Sequence, residues 1–255
     1  MVFLGVTLPS VSAAGIAVAI FWHATFHPDT QHSDFGLAFL GSTILTTGTL
    51  VVLAALERHG RGVLEGRLGV LYVLAGSVTI LLLASDRIPE VGALRVFQGQ
   101  IIAISDSELI LLSTCLAGIA SLLWWFRREL LLVSVDRDLA ISLGKKVWVW
   151  DLLLYWIVGV TISLGVLIVG PLVTFGFLLL PPMVAMRLKV GIWMAPLLAA
   201  GVGMLLAFCG FLVSFQLDWP TGPTDVLLGC MLLGLVTTIQ WIVEKCRLPH
   251  ADSAR

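Results

Sequence analysis

Long apolar runs separated by short polar breaks set the pattern of this chain. Stretches dominated by Leu, Val, Ile, Ala and Gly lie near residues 3–24, 35–56, 68–85, 107–126, 149–169, 171–186, 192–215 and 223–243. Most approach the roughly 20 residues that an α-helix needs to cross the hydrocarbon core of a bilayer. In lipid every backbone N–H and C=O has to be paired within the segment, so such runs are helices. The alternating pattern of membrane barrel strands is absent. The pattern predicts an all-α fold, a polytopic membrane helical bundle of about eight spans. A further apolar stretch at 88–104, punctuated by Gly and Pro, reads as interfacial or re-entrant.

Some spans are broken by Gly and Pro. Gly170-Pro171 separates two apolar runs with no charged loop between them, and Pro181-Pro182 interrupts the second. Proline lacks a donor and clashes with the preceding turn, so the helix is expected to kink, break or end there. In transporters, broken helices at membrane depth often mark the substrate path. Gly170, Pro171, Pro181 and Pro182 are therefore candidate hinge or pathway residues. The competing reading is that Gly and Pro are simply commoner in membrane helices than in soluble ones. Clusters of small residues give the helices faces that can approach closely. They are Ser12-Ala13-Ala14-Gly15 with Ala17 and Ala19, Gly41 with Gly48, Ala199-Ala200-Gly201-Gly203, and Gly229 with Gly234.

Composition turns the pattern into a statement about solvent. The 255 residues are 58% hydrophobic and 12% charged, with a mean hydropathy of +1.02. Soluble domains carry about 25% charged residues, so this chain has too little polar surface to cover itself in water. A net charge of −1 implies no bulk attraction to nucleic acid. Cys115, Cys209, Cys230 and Cys246 form no CxxC pair and have no metal-ligand spacing. No Lys or Arg precedes Arg58, which argues against a signal peptide.

The distribution of charge is more informative than its sum. With both termini cytoplasmic, eight spans leave only Arg87 and Arg95 of the 15 basic residues outside. That asymmetry follows the positive-inside rule. It predicts a multi-pass protein of the cell inner (plasma) membrane.

The longest cytoplasmic segment, 127–148, carries candidate chemistry. Ser134 is positioned to cap a short helix, Asp136 and Asp138 fall in its first turn, and Gly144 with Lys145 and Lys146 falls where it would end. A transport protein driven by a soluble motor needs such a docking element. The plainer reading is an ordinary charged loop. No GxxxxGK[ST] phosphate loop is present, nor a GxSxG elbow or HExxH helix.

His23, His27, Asp29, His32 and Asp34 cluster around the first external loop, with His23 and His27 at helical spacing. Imidazole with carboxylate suits zinc or manganese, against a plain polar loop. Within the spans few ionisable groups remain: Asp151 lies near a helix start, and Glu108 and Asp225 near external ends, all within reach of the interface. Proton-coupled transporters keep such groups near mid-membrane, so the pattern disfavours an ion-coupled secondary transporter.

The stretch from Phe126 to Leu188 resembles the permease family of zinc/manganese-type ABC importers. In that family "ELLLVSFDEELARxxG" leads into a long apolar run and "VVGxLLVxxLLLxPAATAR". Here Glu129 to Gly144, Val169-Gly170, Leu172, Leu178 to Pro181 and Ala185 to Arg187 stand at those positions. "FQGQIIAISDSEL" at 97–109 is similar to the family's "LFGxILAVSPEDL", and "QLDWPTGPTDV" at 216–226 to its "YLDLPPGPxIV".

The resemblance implies one transmembrane permease domain over 1–255, lacking a first helix usual in the family, and no enzymatic activity or resident cofactor in this chain. It implies a divalent metal (zinc, manganese or iron) as cargo, moved inward by alternating access. The implied partners are a cytoplasmic ATP-binding subunit, an extracytoplasmic metal-binding protein and a second permease, identical or not. Asp136, Asp138, Ala140, Leu143 and Gly144 would form the ATPase-coupling element. One departure stands out: the family's "GDALSHAxLPG" carries an Asp and a His, and here Val6 and Ser10 stand at those two positions. A permease for iron chelates or vitamins, which shares a similar coupling segment, is the neighbouring alternative.

Overall fold

Backbone groups that find no partner in lipid close their hydrogen bonds along the chain, and the described residues do so in nine helices without a strand. The computed structural model describes residues 2–26, 35–59, 64–85, 106–135, 137–188, 191 and 194–247. The helices are α1 (Val2–Phe26), α2 (Phe35–His59), α3 (Leu64–Leu83), α4 (Asp106–Val135) and α5 (Arg137–Ser142). They continue with α6 (Val147–Val169), α7 (Pro171–Arg187), α8 (Ala195–Leu217) and α9 (Thr221–Arg247). Seven are long and apolar enough to cross a membrane, and α7, of 17 residues, is the shorter eighth segment. The stretch at 88–104 lies outside the described residues. The helices form two compact units, Met1–Pro171 and Leu172–Arg255.

In the first unit α1 is the core helix, packed against α2, α3 and α6. Of its apolar window 56% is buried, against 6% for α4. Leu8, Ala13, Ile16 and Ala17 meet Ala38 and Leu50 of α2 and Ile162 and Val166 of α6. Between membrane helices, where lipid is as apolar as leucine, close packing and interhelical hydrogen bonds take the place of a hydrophobic drive. Both are visible here. A Cβ on Gly15 would lie 2.7 Å from the carbonyl oxygen of Gly41 and 2.7 Å from Cα of Ser42, so the two backbones touch. One turn away the Ser12 and Ser42 hydroxyls share a hydrogen bond of 2.6 Å. Thr7 donates to the carbonyl of Leu68 on α3 at 3.3 Å.

The Ser12–Ser42 pair gives a direct test. Ser42→Ala alone leaves the fully buried Ser12 hydroxyl to find a new acceptor, whereas the double alanine variant removes both groups. A double-mutant cycle on unfolding in micelles is expected to show a favourable coupling of about 0.6 kcal/mol. Additive single effects would mean the bond contributes nothing.

In the second unit α9 carries small residues toward its neighbours. Val226 lies against Gly176 of α7, Gly222 receives Val173 of α7, and Gly229 receives Leu180 of α7 and Leu206 of α8. The helix α7 runs through Pro181 and Pro182 and ends at Arg187, so neither proline terminates it. Pro181 is buried, and its ring lies 3.6 Å from where a Cβ on Gly203 of α8 would be. The break expected at Gly170-Pro171 is found at Gly170, 11 residues before Pro181. There φ is 88° and ψ 164°, and the Gly170 N–H still bonds the carbonyl of Val166 at 3.0 Å.

Candidate functional site

The short helix α5 is built by its neighbours more than by its own six residues. A helix this short is marginal alone. Its underside residue Ala140 is fully buried and packs with Val133 of α4 and Val147 of α6. Phe126 of α4 meets Trp150 of α6 edge-on with ring centroids 5.4 Å apart, bracing the two helices that hold it. The Lys145 ammonium stands 3.9 Å from the Glu129 carboxylate. Both groups are partly exposed, so this pair adds little.

The C-terminus of α5 is closed by the backbone. Gly144 has φ 71°, the left-handed conformation that glycine adopts without strain. The Lys145 N–H bonds the Ala140 carbonyl at 3.1 Å and the Gly144 N–H bonds the Ile141 carbonyl at 2.9 Å. These two bonds together are a Schellman cap, which satisfies carbonyls that a helix end otherwise leaves open. Leu139, Ile141 and Leu143 are each about half exposed, at 46%, 59% and 60%. The arrangement is a small platform with a packed base and exposed apolar side chains around it.

The sequence placed Ser134 as the cap of this helix, and the structure corrects that. Residues Phe126–Val135 continue α4 without a break, and Ser134 sits in its last turn. Leu130 and Val133 are buried against the neighbouring helices, and that burial prolongs α4 beyond its apolar run. Thirty residues make a helix of about 45 Å, longer than the hydrocarbon core requires. Of the proposed coupling residues, Asp136 lies outside the described residues and Asp138 is in α5 by its backbone.

The remaining candidates fall in different places. His23 is in the last turn of α1, whereas His27, Asp29, His32 and Asp34 lie outside the described residues. Val6 and Ser10 are both in α1, where the Ser10 hydroxyl donates to the Val6 carbonyl at 3.2 Å. That hydroxyl is committed to its own helix. Among the described residues no group of three or more His, Cys, Asp or Glu side chains comes together.

One site residue was weighed in the sequence only as a group near a helix end. Asp225, in the first turns of α9, has its Oδ1 buried without a hydrogen-bond partner, lying over Gly210 of α8. The signal for it was present as an ionisable residue inside an apolar run, but the glycine opposite it is 15 positions away on another helix.

The nine helices of the described residues, seven of them long and apolar enough to cross a membrane, define a polytopic helical membrane protein. The model of the ABC 3 transport family matches residues 1–240, and the chain belongs to that family as an ABC permease. The fold is also that of two solved structures. One is PsaBC from Streptococcus pneumoniae in complex with Fab, with a TM-score of 0.70 and 16% identity over 92% of this chain and 87% of that one. The other is an inward-facing conformation of a metal-chelate type ABC transporter, with a TM-score of 0.64 and 20% identity over 92% of this chain and 74% of that one.

Proposed function

We propose that this chain forms the bilayer path of an ABC importer for a divalent metal ion, zinc, manganese or iron, and moves it inward by alternating access. The observation that carries the reading is α5. A platform whose base is packed between α4 and α6, and which leaves Leu139, Ile141 and Leu143 exposed, suits a helix that docks in a cleft of a soluble partner. The partner is a cytoplasmic ATP-binding subunit. Its closure on ATP pushes α5, and because Ala140 is locked to Val133 and Val147, the push reaches α4 and α6 together. The sequence holds no phosphate loop, which agrees with ATP hydrolysis on the partner.

A second permease, an extracytoplasmic metal-binding protein and cytoplasmic termini complete the proposed assembly. The basic residues support that orientation, since Arg127, Arg128, Lys145 and Lys146 flank α5. Gly170 and Pro171, with Pro181 and Pro182, serve as the hinge between inward- and outward-open forms. His23, His27, Asp29 and His32 capture the ion at the outer mouth. A chelated metal is the second reading, favoured by Val6 and Ser10, which offer a bare dication no charge.

The test is accumulation of manganese or zinc by vesicles holding the permease and its ATP-binding subunit. ATP-dependent uptake of the free ion is expected. Replacing His23, His27 and His32 together by Ala is expected to lower it by about tenfold. Uptake of a chelate alone would select the second reading, unchanged uptake in the triple variant would remove the histidines from the path, and no ATP-dependent uptake would refute the importer.

A further inference from the structure

We infer that Asp225, seated on Gly210, is a contact for the transported cation within the membrane; this rests on the proposed reading of the chain as a metal permease. The geometry begins with the glycine. A Cβ at position 210 would lie 1.6 Å from Asp225 Oδ1, 2.8 Å from its Cγ and 3.1 Å from its Cα. Only glycine leaves room for a carboxylate between α8 and α9 at this point.

Among the described residues no hydrogen-bond donor reaches Asp225 Oδ1. Oδ1 is buried and makes no hydrogen bond. Two hydroxyls of the same α8–α9 corner are committed to backbone carbonyls. Ser214, one turn from Gly210, donates to Trp219 at 2.5 Å, and Thr224, next in the chain, donates to Pro220 at 2.8 Å. The other carboxylates of the described spans differ. Glu129 has Lys145 at 3.9 Å, and Asp151 has an interaction of its own.

A carboxylate oxygen taken out of water without a partner is among the costliest groups a membrane helix can hold. Such a cost is offset when a cation arrives. Carboxylate oxygen is a good ligand for manganese and for zinc. The site also supplies the negative charge that Val6 and Ser10 do not. In the orientation proposed from the basic residues, Asp225 stands near an external span end, the side from which an importer loads. Asp225 therefore meets the ion on entry, one turn inside the span.

The experiment titrates the purified permease in nanodiscs with MnCl2 and with ZnCl2. Bound Mn2+ is read by electron paramagnetic resonance and bound Zn2+ by elemental analysis. The variants are Asp225→Asn, which keeps the shape and removes the charge, and Gly210→Ala, which fills the seat but keeps the carboxylate. Each is expected to weaken binding by at least about tenfold, since loss of a ligand costs no less than loss of its supporting partners. Uptake in the reconstituted vesicles should fall with it, with helix content and elution unchanged. Asp225→Asn binding both ions like the unaltered chain would overturn the assignment. So would an unaltered chain that imports the ion in vesicles yet binds none in the titration, an outcome that leaves the importer itself standing. If Asp225→Asn does not fold, Gly210→Ala decides, and wild-type binding by it overturns the assignment.

Discussion

Gly144→Val is expected to lower ATP-driven metal uptake by at least about tenfold while leaving membrane insertion intact. Gly144 sits at φ 71° and closes α5 through the Lys145-to-Ala140 and Gly144-to-Ile141 bonds. An ordinary L-residue in that region costs about 1–2 kcal/mol, and a β-branched one is the least tolerant of it. The chain relieves the strain by abandoning the cap, which unwinds the last turn of a helix that has only six residues. About 1.4 kcal/mol is already a tenfold change in the population of the docked form. Gly144→Asn provides the internal control, since asparagine enters the left-handed region readily and should retain most of the activity. Uptake in vesicles, compared with the amount of inserted protein, checks both. Equal uptake by the valine variant would remove α5 from the coupling route.

Gly15→Leu is expected to destabilise the first unit by about 3 kcal/mol, the upper end for overpacking. The neighbours of a Cβ there are backbone atoms, the Gly41 carbonyl oxygen and Ser42 Cα, both at 2.7 Å. Side chains can rotate away, but a helix backbone cannot. The two helices must separate, and with them goes the Ser12–Ser42 hydrogen bond. Gly118→Leu on α4 is the matched control, because a Cβ at Gly118 meets nothing within 4 Å. Thermal unfolding followed by size-exclusion chromatography should separate the two variants clearly. If both melt like the unaltered protein, close approach of α1 and α2 does not hold this unit together.

These two glycines illustrate how far the sequence reads. Gly15 and Gly41 were both placed among small-residue clusters, and both sit at helix contacts. Gly48 and Gly234 were placed there as well, and around each a Cβ would find open space. Gly159, where a Cβ would lie 2.5 Å from Thr47 Cγ2, belonged to no cluster. The cause is physical. In a soluble helix the polar face shows which side is buried, but here lipid accepts Leu and Val as readily as a helix neighbour does. The order of residues then carries no direction, and a small residue marks a contact only once the neighbour is known.

The sequence by itself determined the solvent, the secondary structure and the punctuation. With 12% charged residues and apolar runs of membrane length, helices in lipid are the arrangement that satisfies the backbone. The stop at Gly144 and the break at Gly170 were equally legible, because glycine takes a positive φ with the least strain of any residue. Tertiary structure alone decided the rest. It made α1 the core helix, carried α7 through two prolines, extended α4 to Val135 and set Asp225 against Gly210. Each of these depends on which helix stands beside which, and that is fixed by contacts between residues far apart in the chain.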